Sequence, residues 1–600
     1  MSLTPPLETT QHWINQFATA LDNHDYKGAS ELFTPTGCWR DLLAFSWNIH
    51  TAEGSGRIEH MLRATLSDTR PRSWEIVGKP EVLNGDVIAW LGFQTAVGAG
   101  KGRVVLRDGR CKVLFTALQA LHGHAEKTAA NRNRERGVEP GGQKHRQSWL
   151  DRKRSEEAAL GITEQPYCLI IGGGQGGLGL AARLKRLNVP TIVVEQNPRA
   201  GDSWRNRYRT LCLHDPVWYD HMPYIPFPEH WPVFSPKDKI GDWLEMYAKV
   251  MELNFWGSTR CIAAQYDEAA NRWAVQVERD GKALTLHPAQ LILATGMSGF
   301  PKLPDIPGAE DFTGERMHSS QYRSGEAYGG KRCVVVGSNT SAHDICADLW
   351  ESDAHVTMVQ RSPTIVVRSE TMSEMFWDKL YSEDVVAGGM DTDTADLIAA
   401  STPFKLTSDR FVLANEKIRQ QDRDLYDGLE SIGFQYDFGE DGTGIGGAYP
   451  RRGGGYYIEV GASALLIDGE IALKSRANIE RLSEDGVVFD DGSFLPADLI
   501  VFATGYGNMS EWAQALISSE VAQRVGRCWG LGSDTKGDPG PWEGELRNMW
   551  KPTHQPGLWF HGGNLMQSRF YSRYLALQLK ARFEGIATPV YGIPPVHHFK

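Results

Sequence analysis

No CxxC pair occurs in the 600 residues: the eight cysteines, Cys38, Cys111, Cys168, Cys212, Cys261, Cys333, Cys346 and Cys528, are scattered. That argues against a redox-active dithiol of the thioredoxin-reductase kind, and thiols in this pattern fit a reducing compartment, the cytoplasm. No apolar run reaches about 18 residues, so no membrane-spanning helix is expected. Met1 to Thr10 also lacks the basic-then-apolar order of a secretory signal. Positive charge is in deficit, with 63 Lys and Arg against 74 Asp and Glu and a net charge of -11, so nucleic acid is not an expected partner. No short-period repeat or low-complexity tract is evident, and no metal is expected. What is present is ordinary for a globular protein, 41% hydrophobic and 23% charged residues, over a length that implies about two to four domains.

Trp13, Phe17, Leu21 and, after a break, Leu32 recur at helical spacing and predict an amphipathic helix between Trp13 and Phe33. From Trp74 to Leu121 the chain is rich in Val, Phe, Thr and Trp, and Asn84-Gly85 and Asp108-Gly109 supply hairpin turns. These segments predict a curved antiparallel sheet wrapped on helices over residues 1–130. Residues 131–165 alternate in charge sign with few apolar positions and read as a charged, partly helical linker. From Pro166 the texture becomes strand, glycine turn, helix and strand, and this grammar of a parallel sheet recurs at Arg332. The fold class is therefore α/β. Two Rossmann-type, three-layer nucleotide-binding domains are expected behind an α+β domain, the first over 166–310 and 485–600. The second covers 311–484 and carries a helical insertion at about 371–467.

The first nucleotide turn is complete. Tyr167 to Ile171 is a short apolar strand running into Gly172-Gly173-Gly174-Gln175-Gly176-Gly177. In GxGxxG, Gly172 permits the tight turn, Gly174 lets a pyrophosphate approach the backbone, and Gly177 lets the following helix pack on the strand. A second strand, Thr191 to Val194, ends in Glu195-Gln196, where a carboxylate can accept hydrogen bonds from ribose hydroxyls.

The second turn is imperfect. Cys333 to Val336 leads into Gly337-Ser338-Asn339-Thr340-Ser341-Ala342, with Asn339 in place of the second glycine and Ala342 in place of the third. Asn tolerates unusual backbone angles better than most residues, so the turn remains feasible. The next strand, His355 to Val359, ends in Gln360-Arg361-Ser362 rather than an acid, and a cation there can pair with a 2′-phosphate, favouring NADPH over NADH. A surface arginine is the alternative.

Phe312-Thr313-Gly314-Glu315-Arg316-Met317-His318-Ser319-Ser320-Gln321-Tyr322 fits FxGxxxHxxxY and resembles the fingerprint of the flavin-containing monooxygenases. In the related Baeyer-Villiger enzymes the fingerprint usually ends in Trp followed by Pro or Asp, whereas this chain has Tyr322-Arg323, so the plain monooxygenase branch is preferred. Gly201-Asp202-Ser203-Trp204 resembles the family's GGxW, Ala294-Thr295-Gly296 its ATG, and Phe502-Ala503-Thr504-Gly505-Tyr506 its FATGY. Leu211-Cys212-Leu213-His214-Asp215-Pro216 resembles LxLHxP of the auxin-forming YUCCA branch. The resemblance runs from about Pro166 to Lys580. The N-terminal region is similar to the SnoaL-like cone fold. Trp39, Arg40, Asp41 and His50 could line its pocket, or they are satisfied structural groups.

The resemblance implies FAD in the first domain and NADPH in the second. NADPH would reduce the flavin, the reduced flavin would form a peroxide adduct with molecular oxygen, and one oxygen atom would pass to a small organic substrate. It implies cofactor contacts at Gly172, Gly174, Gln175, Gly177, Glu195, Gln196, Trp204, His214, Thr295, Thr504, Gly505 and Tyr506 for the first site. For the second it implies Gly337, Ser338, Asn339, Thr340, Ser341, Arg361 and Ser362. Gly562-Gly563-Asn564, ahead of a helix expected at Arg573 to Phe583, would offer backbone N–H groups to the flavin ring. His214 falls where other members carry a polar residue, commonly Asn, beside the flavin, which implies a catalytic hydrogen bond to the peroxide or the cofactor. A histidine packed structurally under the flavin is the alternative. In the insertion, Trp377, Tyr456 and Tyr457 are either pocket or core aromatics. The competing outcomes are a Baeyer-Villiger monooxygenase, an NADPH oxidase releasing hydrogen peroxide, and a nonenzymatic flavoprotein scaffold. Some cone-fold domains dimerise through their open sheet, which makes a homodimer compatible with the sequence.

Overall fold

The computed structural model describes residues 5–128, 131–132 and 144–597. Part of the expected linker, residues 133–143, lies outside the described residues. The rest of it includes the helix Trp149–Ala159, opened by a capping box in which Ser148 and Asp151 satisfy each other's backbone N–H groups.

At the N-terminus, helix Pro6–Asp22 buries Trp13, Ile14, Phe17 and Leu21 along one face. The single expected helix is in fact two, because His24 takes a left-handed φ of 53° and the chain restarts at Tyr26–Glu31 behind an Asp25 cap. A third helix, Ser55–Thr69, follows. Six strands form one sheet in the order Ile49–Glu53, Phe33–Leu42, Arg110–Leu121, Gly98–Arg107, Asp86–Gln94, Arg72–Leu83. All neighbours are antiparallel except Phe33–Leu42 with Arg110–Leu121, which run parallel. The two predicted hairpin turns are present, with positive φ at Asn84, Gly85, Asp108 and Gly109, as a type I′ turn requires.

The first parallel sheet has the strand order Leu558–Phe560, Gln290–Leu293, Cys168–Ile171, Thr191–Val194, Phe255–Trp256. Helix Gln175–Arg186 springs from its central strand, and helix Leu565–Phe583 packs against that helix. The latter starts well before the expected Arg573, because Asn564 and Gln567 form a capping box that nucleates it at Leu565. The second parallel sheet runs Glu315–His318, Leu499–Phe502, Arg332–Val336, His355–Gln360, Ala472–Ser475. Here the expected boundary at 485 is corrected. Leu499–Phe502 hydrogen-bonds between Glu315–His318 and Arg332–Val336, so the chain stays with the second sheet beyond 485 and rejoins the first at Leu558–Phe560.

The N-terminal sheet packs on the rest of the chain. Arg40, Phe115, Arg103, Trp90 and Val77 stand in cross-strand register on one face. Arg40 and Arg103 on that face reach Glu545 and Ser401 respectively. At the far end of the chain, Asn48 Nδ2 donates to the Tyr591 carbonyl (2.9 Å), Tyr591 N donates to Ser46 O (2.8 Å), and the Tyr591 hydroxyl meets His60 Nδ1 (2.6 Å). Among the described residues, no helix is long and apolar enough to cross a membrane.

Candidate functional site

At the first glycine turn, Gly172 has φ 113°, and a Cβ there would lie 2.3 Å from the Ala294 carbonyl oxygen. A Cβ on Gly177 would lie 2.0 Å from the carbonyl oxygen of Gly172, so glycine is what lets the helix seat on the strand. Gly174 differs: its backbone is extended, and an added Cβ would meet only Ser203 Oγ, at 3.6 Å. No protein atom demands glycine there, and the space faces a cavity. Glu195 accepts from Gly173 N (2.7 Å), Asn197 N (2.8 Å) and Asn197 Nδ2 (2.6 Å), which fixes its carboxylate at the end of the second strand.

That cavity measures about 1140 Å³ and gathers Gly172, Gly174, Gln175, Glu195, Gln196, Trp204, His214, Thr295, Tyr506 and Asn564 from the expected set. Trp204 Nε1 donates to Gln175 Oε1 (3.2 Å), whose Nε2 donates to the Gly563 carbonyl (3.2 Å), so the turn, the GDSW segment and the C-terminal helix start are tied together. The Thr295 hydroxyl is buried without a hydrogen-bond partner in this wall, an orphan that suits a polar ligand. Asn564 caps its helix, accepting from Gln567 N (2.9 Å), and donates from Nδ2 to the Tyr219 hydroxyl (3.1 Å), so the start of Leu565–Phe583 forms part of the cavity wall. Away from the turn the walls become apolar and aromatic, with Met372, Phe376, Trp377, Leu380, Phe404, Phe411 and Tyr456. Trp377 and Tyr456 are thus pocket residues, whereas Tyr457 is core, stacked on His343 at 3.8 Å.

His214 stands in the wall with Nε2 3.8 Å from Asp215 Oδ1. Burial pushes the Asp215 carboxyl up, against an opposing pull from His214. Burial likewise raises Asp344, which accepts a 2.5 Å hydrogen bond from Tyr208 and also feels His214. His214 therefore acts on a carboxyl group from each nucleotide module. Behind them Asp220 is buried with neither oxygen hydrogen-bonded, and burial, then the Asp215 charge, push its carboxyl well up against an opposing pull from Arg569.

The second turn lies outside the cavity lining, and so do Gly177, Arg361, Ser362, Thr504 and Gly505. Gly337 has φ 132°, with a hypothetical Cβ 2.5 Å from the Ala503 carbonyl oxygen. Asn339, expected to use Asn's tolerance of unusual angles, instead sits at φ -94° and ψ -175°, extended backbone open to any residue. Ser338 Oγ bonds Thr364 Oγ1 (2.8 Å), and Thr340 Oγ1 donates to the carbonyl of cavity-lining Tyr456 (2.9 Å). Ser341 is half-buried, whereas Arg361 and Ser362 are exposed just past the strand. Arg361 makes no ion pair among the described residues.

The fingerprint residues do architectural work. Ser320 N donates to His318 Nδ1 (3.1 Å), so the ring proton is on Nε2 and donates to the Gly505 carbonyl (2.9 Å). Burial lowers this histidine, keeping it neutral. Tyr322 donates to Asp348 (2.6 Å). Thr504, expected to touch cofactor, gives its hydroxyl to the Lys302 carbonyl (2.5 Å) and forms, with Gly505, a turn clamped by His318. In the N-terminal sheet, Trp39 Nε1 donates to Thr116 Oγ1 (2.8 Å), which donates to Asp41 Oδ1 (2.6 Å), a fully buried structural chain. His50 is half-buried, edge-on to the Tyr591 ring, and its ring is lowered to about 4, chiefly by desolvation. Arg40 alone of that group reaches the cavity, and with Tyr449, Gln567 and Tyr571 it was not foreseen there, since no local motif marks them.

Residues 169–385 match a family model described as pyridine nucleotide-disulphide oxidoreductase. The indole-3-pyruvate monooxygenase YUCCA1 of Oryza sativa subsp. japonica is 30% identical over 366 residues, spanning 60% of this chain and 82% of that protein. The chain belongs to the flavin-containing monooxygenase family. As a member it is an oxidoreductase, and it is also similar to the probable indole-3-pyruvate monooxygenase YUCCA7 of Arabidopsis thaliana, 30% identical over 353 residues, 57% of this chain and 75% of the other. The fold of this monooxygenase matches the open crystal structure of cyclohexanone monooxygenase with a TM-score of 0.50 at 17% identity, over 70% of this chain and 88% of that one. All eight cysteines are free.

Proposed function

We propose that this flavin-containing monooxygenase binds FAD along the first turn and NADPH on the second, and transfers one atom of molecular oxygen to a small, largely apolar organic substrate. The observation that carries the reading is the single cavity joining the Gly172–Gly174 turn to an aromatic chamber, with the Thr295 hydroxyl unpartnered between them. In it, Glu195 would hold the ribose and Gly174 admit the pyrophosphate, while the capped helix start at Asn564 faces the flavin ring. Bound FAD supplies hydride acceptance and oxygen activation. Arg361, exposed and unpaired, would take the 2′-phosphate of NADPH. His214, beside Asp215 and lining the chamber, would donate a hydrogen bond where oxygen reacts and keep water-driven peroxide release low.

The N-terminal domain would be SnoaL-like, a reading supported by three helices packed with a six-stranded sheet. Domain limits consistent with the strand pairing are about 5–128, then 166–310 with 503–597, and 311–502. The scattered free thiols support a cytoplasmic enzyme. Part of the sheet face expected to dimerise is covered by the chain's own Ser401 and Glu545.

Anaerobic stopped-flow mixing with NADPH or NADH, followed by oxygen, tests the reading. NADPH should bleach the flavin far faster than NADH. His214→Ala should raise hydrogen peroxide release at the expense of product. A flavin that NADPH cannot reduce would sink the proposal, and full coupling in the His214 variant would remove that residue's role.

A further inference from the structure

Arg40 belongs to the N-terminal sheet, yet its side chain is built into the cavity wall far from the flavin turn. It is 3% exposed, and its Nε and Nη2 each lie 2.7 Å from an oxygen of Glu545, itself 4% exposed. Nη2 also donates to the Tyr571 hydroxyl (3.2 Å), and Nη1 donates to the Ala400 carbonyl. The guanidinium lies 5.5 Å from the Phe404 ring centre. Thr51 Oγ1, from the neighbouring strand, donates to Glu545 (2.6 Å), so the acid is held from the N-terminal side as well. Ala400 is the last residue of helix Thr392–Ala400, whose terminal carbonyls have no partner within the helix, and Phe404 opens the next one. Arg40, Ala400, Phe404 and Tyr571 all line the cavity.

A buried ion pair is a poor way to gain stability, because desolvation offsets most of the attraction and apolar residues of like volume do as well. Its strength is geometric: the planar fork fixes several partners at once. Here two of those partners, the Ala400 carbonyl and the Tyr571 hydroxyl, belong to the cavity wall and come from separate segments, while Glu545 anchors the fork behind it.

We propose that the N-terminal domain forms part of the substrate chamber and that Arg40 is a positioning residue, which fixes Ala400, Phe404 and Tyr571 and thereby sets the length of substrate admitted. The inference rests on the monooxygenase reading for the identity of the chamber, but not for the existence of the wall.

The test uses the full-length, FAD-loaded protein and a series of alkyl phenyl sulfides from methyl to butyl. Binding is read from the perturbation of flavin absorbance without NADPH, and turnover from sulfoxide formed. In Arg40→Met, flavin content and the rate of anaerobic reduction by NADPH should stay near wild type. The ratio of butyl to methyl Kd should shift toward the longer sulfide by about tenfold, the scale of a few methylenes in an apolar pocket. The same shift should appear in KM rather than kcat, and Arg40→Lys should recover part of it. Amide exchange at 400–404 should quicken in the Met variant. If Met fails to fold, Tyr571→Phe and Arg40→Lys carry the same ratio at smaller amplitude. Unchanged chain-length ratios, whether or not amide exchange quickens, would overturn the proposal. Wild-type protein that binds the sulfides but forms no sulfoxide would count against the monooxygenase reading alone, and the binding ratios would still decide the role of Arg40.

Discussion

The two glycine turns share one backbone path and differ in what they tolerate. Gly172 and Gly337 both take positive φ, at 113° and 132°, and both would drive a Cβ into a facing carbonyl oxygen. Gly174 and Asn339 are both extended, with φ -80° and -94°. The divergence is at the third position: Gly177 cannot carry a Cβ, whereas Ala342 does, buried. The next residue is Leu178 in the first helix and His343 in the second, both fully buried. The first glycine is thus a demand of the backbone and the third of how deep the helix sits, while at the second no protein atom requires glycine.

The strongest way to break this comparison is Gly177→Ala. Its Cβ would be 2.0 Å from a carbonyl oxygen, so the helix must shift, at about 3 kcal/mol or more. Flavin should be largely lost on purification and the melting temperature should drop, whereas the mirror change Ala342→Gly should cost about 1 kcal/mol. A Gly177→Ala protein with full flavin content would show that the close seat is dispensable. Next comes Gly337→Ala, which should leave flavin content intact and slow anaerobic reduction by NADPH by about a hundredfold, since backbone strain and overpacking of about 3 kcal/mol fall on the second turn alone.

Arg361→Gln should weaken NADPH binding by about tenfold or more and leave NADH unchanged, the worth of a charge-assisted pair. Equal losses for both nucleotides would place Arg361 elsewhere. His343 separates the helices by pH. Burial lowers it to about 4 from an ordinary value near 6.5. The unfolded chain therefore takes up this proton first as pH falls, and the folded state loses stability between about pH 6.5 and 4. His343→Leu, which copies Leu178, should flatten that loss of stability by about 3 kcal/mol over the range, read as a shallower fall of melting temperature with pH. The smallest effect is expected for Asn339→Gly: extended backbone needs no glycine, so NADPH kinetics should stay within about twofold.

What was legible in the sequence was what local chemistry decides. Thr191–Val194 and the hairpin turns at Asn84-Gly85 and Asp108-Gly109 stand where β-branched runs and left-handed tolerant residues place them. The helix expected at Arg573 to Phe583 has its end there but starts at Leu565, because its Asn564–Gln567 box is followed by a mixed polar and aromatic run with little amphipathic signal. Leu499–Phe502 was assigned to the wrong sheet because strand pairing is nonlocal: an apolar run carries no mark of which sheet it joins. The cavity wall divides the same way. Gly172, Glu195 and Thr295 come from motifs, whereas Arg40 and Tyr571, more than 500 residues apart, meet only through tertiary packing, as their contact over 531 positions shows.

Tyr591 rests on Ser46, Asn48 and His60, and its bond to Asn48 spans 543 positions. During synthesis the first sheet therefore emerges long before this strap, and before Glu545 can meet Arg40. The ribosome thus delivers a sheet whose Arg40 and Arg103 must wait for Ala400 and Ser401, then Glu545, and whose Ser46 and Asn48 wait longest, for Tyr591. Protection of Ser46 and Asn48 should accordingly appear late in vectorial folding, as a closing step that follows completion of both nucleotide modules.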